Sequence, residues 1–346
     1  MSVYYGEKHI AMKGNAMGSE TRDTRFDNIK GLLIVLVVLG HTFGHFQATV
    51  SQTSSIIRTI IYSFHMPVFV FVSGYFSRNF VDYEKLSEKC VKRILVPLIV
   101  FHLLKWLVSS RSLETLFEPS WTLWFLLCLF YWKLSIGSII KLRFPLIFSL
   151  MLALLVGFTS MGDTLSASRA FTFLPFFLLG YKTTPSSIKR ISQSGKAIAT
   201  LIIMACFSTI IIIEKIGISV VDHFYMNSSY AAFTELSIWG GVMLRVYSLI
   251  VGFVGIYCMI AIVPGRECVF TKIGNNTMPI YIFHSFAISV LQYFIQRICL
   301  ALFVNDIVSL VFSIIFSFIF CYVFSSDLVV KSYNKLLEMI CFVFMK

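Results

Sequence analysis

Charge is scarce in this sequence: 13% of its 346 residues are Asp, Glu, Lys or Arg, while 57% are hydrophobic. Soluble domains carry about a quarter charged residues, so a water-soluble fold has too little polar surface to cover this much apolar side chain. Acidic groups are scarcest, 17 against 29 Lys and Arg, which leaves a net charge of +12. The basic residues come in short clusters between apolar runs and line no continuous face, which argues against nucleic-acid binding.

The eight cysteines (Cys90, Cys128, Cys206, Cys258, Cys268, Cys299, Cys321 and Cys341) are scattered singly, with no C-x-x-C pair. Neither a disulfide framework nor a zinc site is implied. Internal repeats, low-complexity tracts and long hydrophilic insertions are also missing, which leaves no room for an appended soluble domain. The first apolar run, Ile29 to Phe46, has no small-residue cleavage site after it, so it is expected to stay as a membrane helix.

What is abundant is long apolar runs, and Phe alone contributes 35 residues. Ten stretches approach the ~20 residues that cross ~30 Å of hydrocarbon. They are Ile29 to Phe46, Ile56 to Phe76, Ile94 to Val108, Trp121 to Ile136, Phe144 to Thr159, Ala170 to Tyr181, Ala197 to Ile213, Leu244 to Val263, Thr277 to Ile295 and Ile307 to Phe324. The sixth is the shortest. The expected fold is therefore all-α, a polytopic integral membrane protein of about ten transmembrane helices. Residues 1–28 form a cytoplasmic tail, 29–325 the membrane domain and 326–346 a cytoplasmic or interfacial tail ending in the apolar run Met339 to Met345.

Placing both termini in the cytoplasm puts 22 of the 29 Lys and Arg on that side, from the N-terminal tail through the clusters Arg78 to Arg93, Lys133 to Arg143 and Lys182 to Lys196. The opposite loops keep Arg58, Arg111, Arg169, Lys215 and Arg297, while Lys105 and Arg245 fall within or at the edge of helices. The positive-inside rule fixes this orientation. The longest outer connection, Glu214 to Gly241, carries Asp222, His223, Asn227 and Trp239 and either shapes an acceptor site or makes a surface turn.

Ionisable groups inside hydrocarbon are costly and mark function by default, which selects His41, His65, His102 and His284. His41 lies eleven residues after Lys30; at 100° per residue the two share a helix face, ~16 Å apart along the axis. A cation at the rim and an imidazole near mid-membrane suit a long cytosolic ligand with an anionic head and a reactive far end. Asp27, three residues before Lys30, is placed to pair with it. Gly40 and Gly44 form a small-xxx-small pair that lets a neighbouring helix come close. The plain alternative is that His41 bonds across helices and Lys30 snorkels to headgroups. His45 follows at i+4, but without the Glu of H-E-x-x-H or a third ligand no metal is expected.

These residues sit in a pattern. Arg25-Phe-Asp27-Asn-Ile-Lys30-Gly31, eight apolar or small residues, then Gly40-His41 resembles the first helix of the membrane-bound acyltransferase 3 family, in the branch related to fucose 4-O-acetylases. Ser63-Phe-His65-Met66-Pro67, Ser73-Gly74-Tyr75-Phe76, Lys92-Arg93-Ile-Leu-Val-Pro97, Trp121-Thr-Leu-Trp124, Phe173-Leu-Pro175-Phe176 and Ile273-Gly274-Asn275-Asn276 through Tyr281 to His284 follow in the family's order. Together they cover Arg25 to His284.

The resemblance implies an O-acyltransferase that takes an acyl group, usually acetyl from cytosolic acetyl-CoA, to a hydroxyl of an extracytoplasmic polysaccharide or its lipid-linked precursor. Where the family commonly has Arg, this chain has Lys30, cationic but without the bidentate fork. On this reading His41 is the general base or, alternatively, an acyl-carrying nucleophile. Lys30, Lys92 and Arg93 meet the phosphates and adenosine end of CoA, or in the plain reading the last two anchor the chain to headgroups. Ser73 and Tyr75 line the thioester channel, or Ser73-Gly74 permits tight helix contact. His65 and His284 are secondary site residues. Pro67 and Asn276 shape helices, Trp121 and Trp124 are interface or packing residues, and His102 with Lys105 is structural. The rival readings are a secondary transporter with a His/Lys relay and a non-catalytic sensor or scaffold.

Overall fold

A computed structural model describes residues 23–46, 51–78, 83–108, 113–119, 122–218, 220–233, 236–298 and 305–344. Arg111, Trp121, Cys299 and Met345, named above, lie outside them, as do residues 1–22 of the N-terminal tail with Lys8, Lys13 and Arg22, and Lys346. Among the described residues every regular element is helical. In order these are α1 (Arg25–Phe46), α2 (Gln52–Tyr75), α3 (Tyr83–Cys90), α4 (Val96–Val108), α5 (Trp124–Ile139), α6 (Pro145–Leu155), α7 (Ala167–Thr172) and α8 (Leu174–Lys182). They continue with α9 (Pro185–Ser192), α10 (Lys196–Lys215), α11 (Val221–Tyr225), α12 (Ile238–Ile262), α13 (Val269–Asn275), α14 (Thr277–Ile298), α15 (Asp306–Phe324) and α16 (Asp327–Phe344).

The ten apolar stretches all fall on helices, and six of those helices (α1, α2, α10, α12, α14 and α15) are long and apolar enough to cross a bilayer unaided. The chain is an all-α, multi-pass membrane protein. The remaining stretches are shorter or interrupted, and proline accounts for two of the interruptions. Pro97 has no N–H for Arg93, and a π-helical turn, Val91–Leu95, carries the chain from α3 into α4 across that gap. Pro175 sits at the start of α8, and the helix breaks at Phe173 between α7 and α8. Pro67, in contrast, is accommodated inside α2.

α1 is the hub, packing against α2, α13, α14 and α15, with Ile29, Leu33, Ile34 and Val38 fully buried. Helices in lipid gain little from hydrophobicity alone, so close packing over small residues must hold them. Gly31 of α1 faces the Phe270 carbonyl and Gly274 of α13 faces the Asp27 carbonyl; a methyl group at either would collide with backbone. Gly74 of α2 meets the Phe177 carbonyl, and Gly180 of α8 meets the Phe71 carbonyl, in the same way. α15 turns Ser309, Ser313 and Ser317 inward at four-residue spacing, while Phe316, Phe320 and Phe324 stack along the helix with centroids 5.7 and 4.1 Å apart. Ile315 and Ile319 of α15, with Leu201, Met204 and Ile212 of α10, stay exposed, as an apolar rim in contact with lipid tails requires.

Polar ties close the bundle at both ends. At the end where α1 begins, Asn28 Nδ2 donates to the carbonyls of Pro264 and Arg266 at 2.8 Å, and Arg25 Nη1 donates to the Ile260 carbonyl at 2.8 Å and to that of Val263. At the far end, Glu214 accepts from Ser55 Oγ at 2.9 Å, Thr59 Oγ1 at 3.0 Å and the Val220 amide at 3.0 Å, joining α10 to α2. The C-terminal segment forms α16, which packs on α4, α14 and α15 and buries Tyr333 against Phe283, 6.2 Å between centroids.

Candidate active site

α1, α2 and α14 bring three of the four intramembrane histidines together. The His41 ring stacks on His284 with centroids 5.5 Å apart and planes 26° from parallel. Tyr62 of α2 joins them to the third: its hydroxyl lies 3.0 Å from His41 Nδ1, and its ring is edge-on to His65 at 5.1 Å. His65 and His284 use Nδ1 for backbone carbonyls, Ile61 at 2.7 Å and Tyr281 at 2.7 Å. His284 Nε2 is buried without a hydrogen-bond partner.

Gly40 and Gly44 serve this cluster by leaving room for side chains. A Cβ on Gly40 would stand 3.4 Å from the Tyr62 hydroxyl, and one on Gly44 would stand 3.1 Å from Arg58 Nε. Arg58 and Tyr62 are one turn apart on α2, as Gly44 and Gly40 are on α1, so two polar side chains cross α1 on either side of His41. Arg58 Nη2 donates to the Tyr225 hydroxyl at 2.8 Å, and the Tyr225 ring packs edge-on against Tyr62 at 4.9 Å.

Above this cluster opens a cavity of about 420 Å³, within the range that encloses small-molecule ligands. His41, His45, Arg58, Tyr62, His65 and Tyr225 line its depth, and Glu118, Asp163, Arg169 and Asn227, at or near the far-end loops, line its mouth. Asp163 accepts from Arg169 Nη1 at 2.6 Å and from Asn227 Nδ2 at 2.9 Å, which ties three segments of the mouth together. Trp124, read above as packing, also lines the cavity, with the Arg169 guanidinium 5.1 Å from its ring. The long connection after α10 contributes Phe224, Tyr225 and Asn227 to the wall. Arg58, Tyr62, Asp163 and Tyr225 escaped the reading of the sequence as site residues. The spacing Arg58, Tyr62, His65 was the available signal: three polar groups at i, i+4 and i+7 on one face of an apolar helix.

The other candidates lie elsewhere. Lys30 Nζ pairs with Asp27 Oδ1 at 3.1 Å and sits 5.4 Å from the Phe76 ring at the end of α2. Lys30 and His41 thus both face α2, but the cavity includes only His41. Tyr75 stacks on Phe26 at 4.5 Å and carries the Arg78 guanidinium 4.4 Å from its ring. Ser73 Oγ donates to the Phe69 carbonyl at 3.0 Å, and tight helix contact is made at its neighbour Gly74. Lys92 and Arg93 occupy the π-helical turn, where Lys92 pairs with Glu88 and Arg93 is exposed. His102 Nε2 donates to the Leu116 carbonyl at 2.8 Å. Among the described residues no three His, Cys, Asp or Glu side chains group as a metal site would require.

Against known proteins, residues 23–326 match the acyltransferase 3 family model, described as "Acyltransferase domain". Nodulation protein NolL of Mesorhizobium japonicum is 29% identical over 181 residues, 47% of this chain and 48% of that protein. Nodulation protein NolL of Sinorhizobium fredii is 45% identical over 60 residues, 17% and 16% of the two chains. The matched region thus spans about half the length of the first relative and less of the second. No solved structure matches. With the family model covering most of its length, this chain belongs to the acyltransferase 3 family of membrane proteins.

Proposed function

We propose that this membrane acyltransferase moves an acetyl group from cytosolic acetyl-CoA to a hydroxyl of an extracytoplasmic surface polysaccharide or its lipid-linked precursor, working in the bacterial cytoplasmic membrane. The observation that carries this reading is the convergence of His41, Tyr62 and His65 at the depth of a cavity whose mouth is built from the far-end loops. With the basic clusters in the cytoplasm, that mouth faces outward, where a saccharide acceptor arrives. The mouth alternates Asp163, Arg169, Asn227 and Glu118 beside Trp124, a mixture of donors, acceptors and one aromatic ring suited to a neutral sugar.

His41 is the general base in this reading. The acceptor oxygen attacks the thioester carbonyl carbon as its proton passes to the imidazole; the C–S bond then breaks, and the thiolate leaves with that proton. His65 lines the same pocket, and His284 backs it through its stack on His41. Lys30, Lys92 and Arg93, on the lysine-bearing end, hold the phosphates of the donor, and Ser73 and Tyr75 lie along the path of its thioester arm. Lys30 offers a point charge where Arg would offer a fork, so it holds phosphate by charge more than by geometry.

The test is chemical. Deleting the gene in its host should remove O-acetyl signals from the surface glycan by NMR; wild type should restore them and His41→Ala should not. Restoration by both would remove His41 from the mechanism, and unchanged glycan in the deletion strain would remove the acceptor class.

A further inference from the structure

We propose that Tyr62 is the positioning residue of His41: it accepts a hydrogen bond from His41 Nδ1–H, so that Nε2 keeps its lone pair for the acceptor hydroxyl. The catalytic consequence rests on the function proposed above, whereas the tautomer itself does not.

The three clustered imidazoles are all anchored through Nδ1, but their anchors differ in kind. For His65 and His284 the anchor is a backbone carbonyl at 2.7 Å. A carbonyl only accepts, so in both rings Nδ1 carries the proton and Nε2 is bare. For His41 the anchor is the Tyr62 hydroxyl at 3.0 Å, which both donates and accepts. The tautomer of His41 is therefore set by a side chain, and by where that side chain is held.

Tyr62 is held from several sides. Its hydroxyl fits the slot left by Gly40, its ring meets His65 and Tyr225 edge-on, and Tyr225 is fixed by Arg58. A hydroxyl pinned in this way fixes the plane of the His41 ring and, accepting as proposed, keeps its proton on Nδ1. If Nε2 carried the proton instead, His41 would present N–H to the incoming hydroxyl and could not take its proton. In the proposed state the acceptor O–H gives its proton to Nε2, the new C–O bond forms, and the departing thiolate takes that proton back.

Nitrogen-15 NMR of histidine-labelled protein in nanodiscs reads the tautomer directly, with the His41 resonance assigned by its loss in His41→Gln. Wild type is expected to show His41 protonated on Nδ1 and bare on Nε2; Tyr62→Phe is expected to show a mixture at His41, with His65 and His284 unchanged. With acetyl-CoA as donor and surface polysaccharide from the deletion strain as acceptor, Tyr62→Phe should lower kcat about 10- to 100-fold while KM for acetyl-CoA stays within about twofold. A wild-type His41 carrying its proton on Nε2 overturns the proposal without any variant. So does an unaltered His41 spectrum, or full kcat, in Tyr62→Phe. Wild-type protein that shows the expected spectrum but transfers nothing would count against the proposed reaction and not against the placement of Tyr62.

Discussion

The two ends of the bundle treat their polar residues in opposite ways. Around the cavity, charged and polar groups are tied to one another across segments: Asp163 holds Arg169 and Asn227, Arg58 holds Tyr225, and Tyr62 holds His41. At the lysine-bearing end Arg25 is fixed by backbone carbonyls, but the lysines named as donor-binding have one ion pair each, Lys30 to Asp27 and Lys92 to Glu88, and Arg93 is exposed. The lesson is that the cavity end is preorganised, as the proposed proton transfer requires, whereas the lysine end leaves Lys92 and Arg93 at the surface, where the proposed anionic donor would meet them.

This contrast is broken most severely at the cavity. His41→Ala should lower turnover by about 10²- to 10⁴-fold, the range over which a positioned acid or base contributes, while the protein's thermal midpoint stays close to wild type. Acetyl release from acetyl-CoA together with a melting curve checks both halves of the statement; loss of folding in step with turnover would make His41 a packing residue.

A change at the other end should act through stability. Gly74→Ala sets a methyl group against the Phe177 carbonyl, where backbone and not a flexible side chain must yield. Overpacking of this kind costs about 1–3 kcal/mol, readable as a lowered midpoint in detergent or nanodiscs. Unchanged stability would mean that the α2–α8 crossing is looser than its backbone contacts indicate.

Lys30→Met should raise KM for acetyl-CoA about tenfold, the worth of one hydrogen bond to a charged group, with a smaller effect on kcat; Lys30→Arg should hold or lower KM. An equal fall in kcat for Met and Arg would place Lys30 in the chemistry instead of in donor binding.

The short helix α11, whose Phe224 and Tyr225 line the cavity, adds a pH dependence. His223 of α11 is buried with neither ring nitrogen partnered and stacks on Phe233 with centroids 3.6 Å apart. Burial, and then the nearby Arg245 guanidinium, bring its imidazole down from 6.5 to about 4. Between those values the unfolded chain binds a proton that the folded loop does not. The stability His223 contributes is therefore intact above pH 6.5 and is lost as pH falls through about 4. His223→Phe should flatten this part of the stability curve; a wild-type curve that matches it across the window would show that His223 titrates freely.

The sequence was most legible where physics acts locally. Apolar runs predicted the six helices long and apolar enough to cross a bilayer, though not α16, and the cost of ionisable groups in lipid singled out His41, His65 and His284, which the fold then clusters. It was least legible where function depends on residues far apart in the chain. Asp163 and Tyr225 are unremarkable loop or helix-end positions until the fold brings Asp163 to Arg169 and Asn227, and Tyr225 to Arg58 and Tyr62 of α2. Gly40 and Gly44 do let α2 come close, but their spacing alone does not show that the space is taken by the side chains of Tyr62 and Arg58. Where the apolar stretches break was illegible for a related reason: hydropathy counts apolar residues but does not show where Pro97 or Pro175 interrupts their hydrogen-bond ladder.

Lys92 offers the finest test of the contrast between the ends. Its ion pair with Glu88 is an i,i+4 surface contact, with side chains 42% and 57% exposed, so neither partner is held by anything that burial would strengthen. Such a pair is screened by salt and contributes little to folding. If Lys92 meets the donor only as one of several mobile charges, Lys92→Met should change KM for acetyl-CoA less than about fivefold at physiological salt, and the difference should shrink as salt is raised. A larger change that persists in high salt would mean that the π-helical turn holds Lys92 in a fixed donor pocket, and the lysine end would then be as preorganised as the cavity.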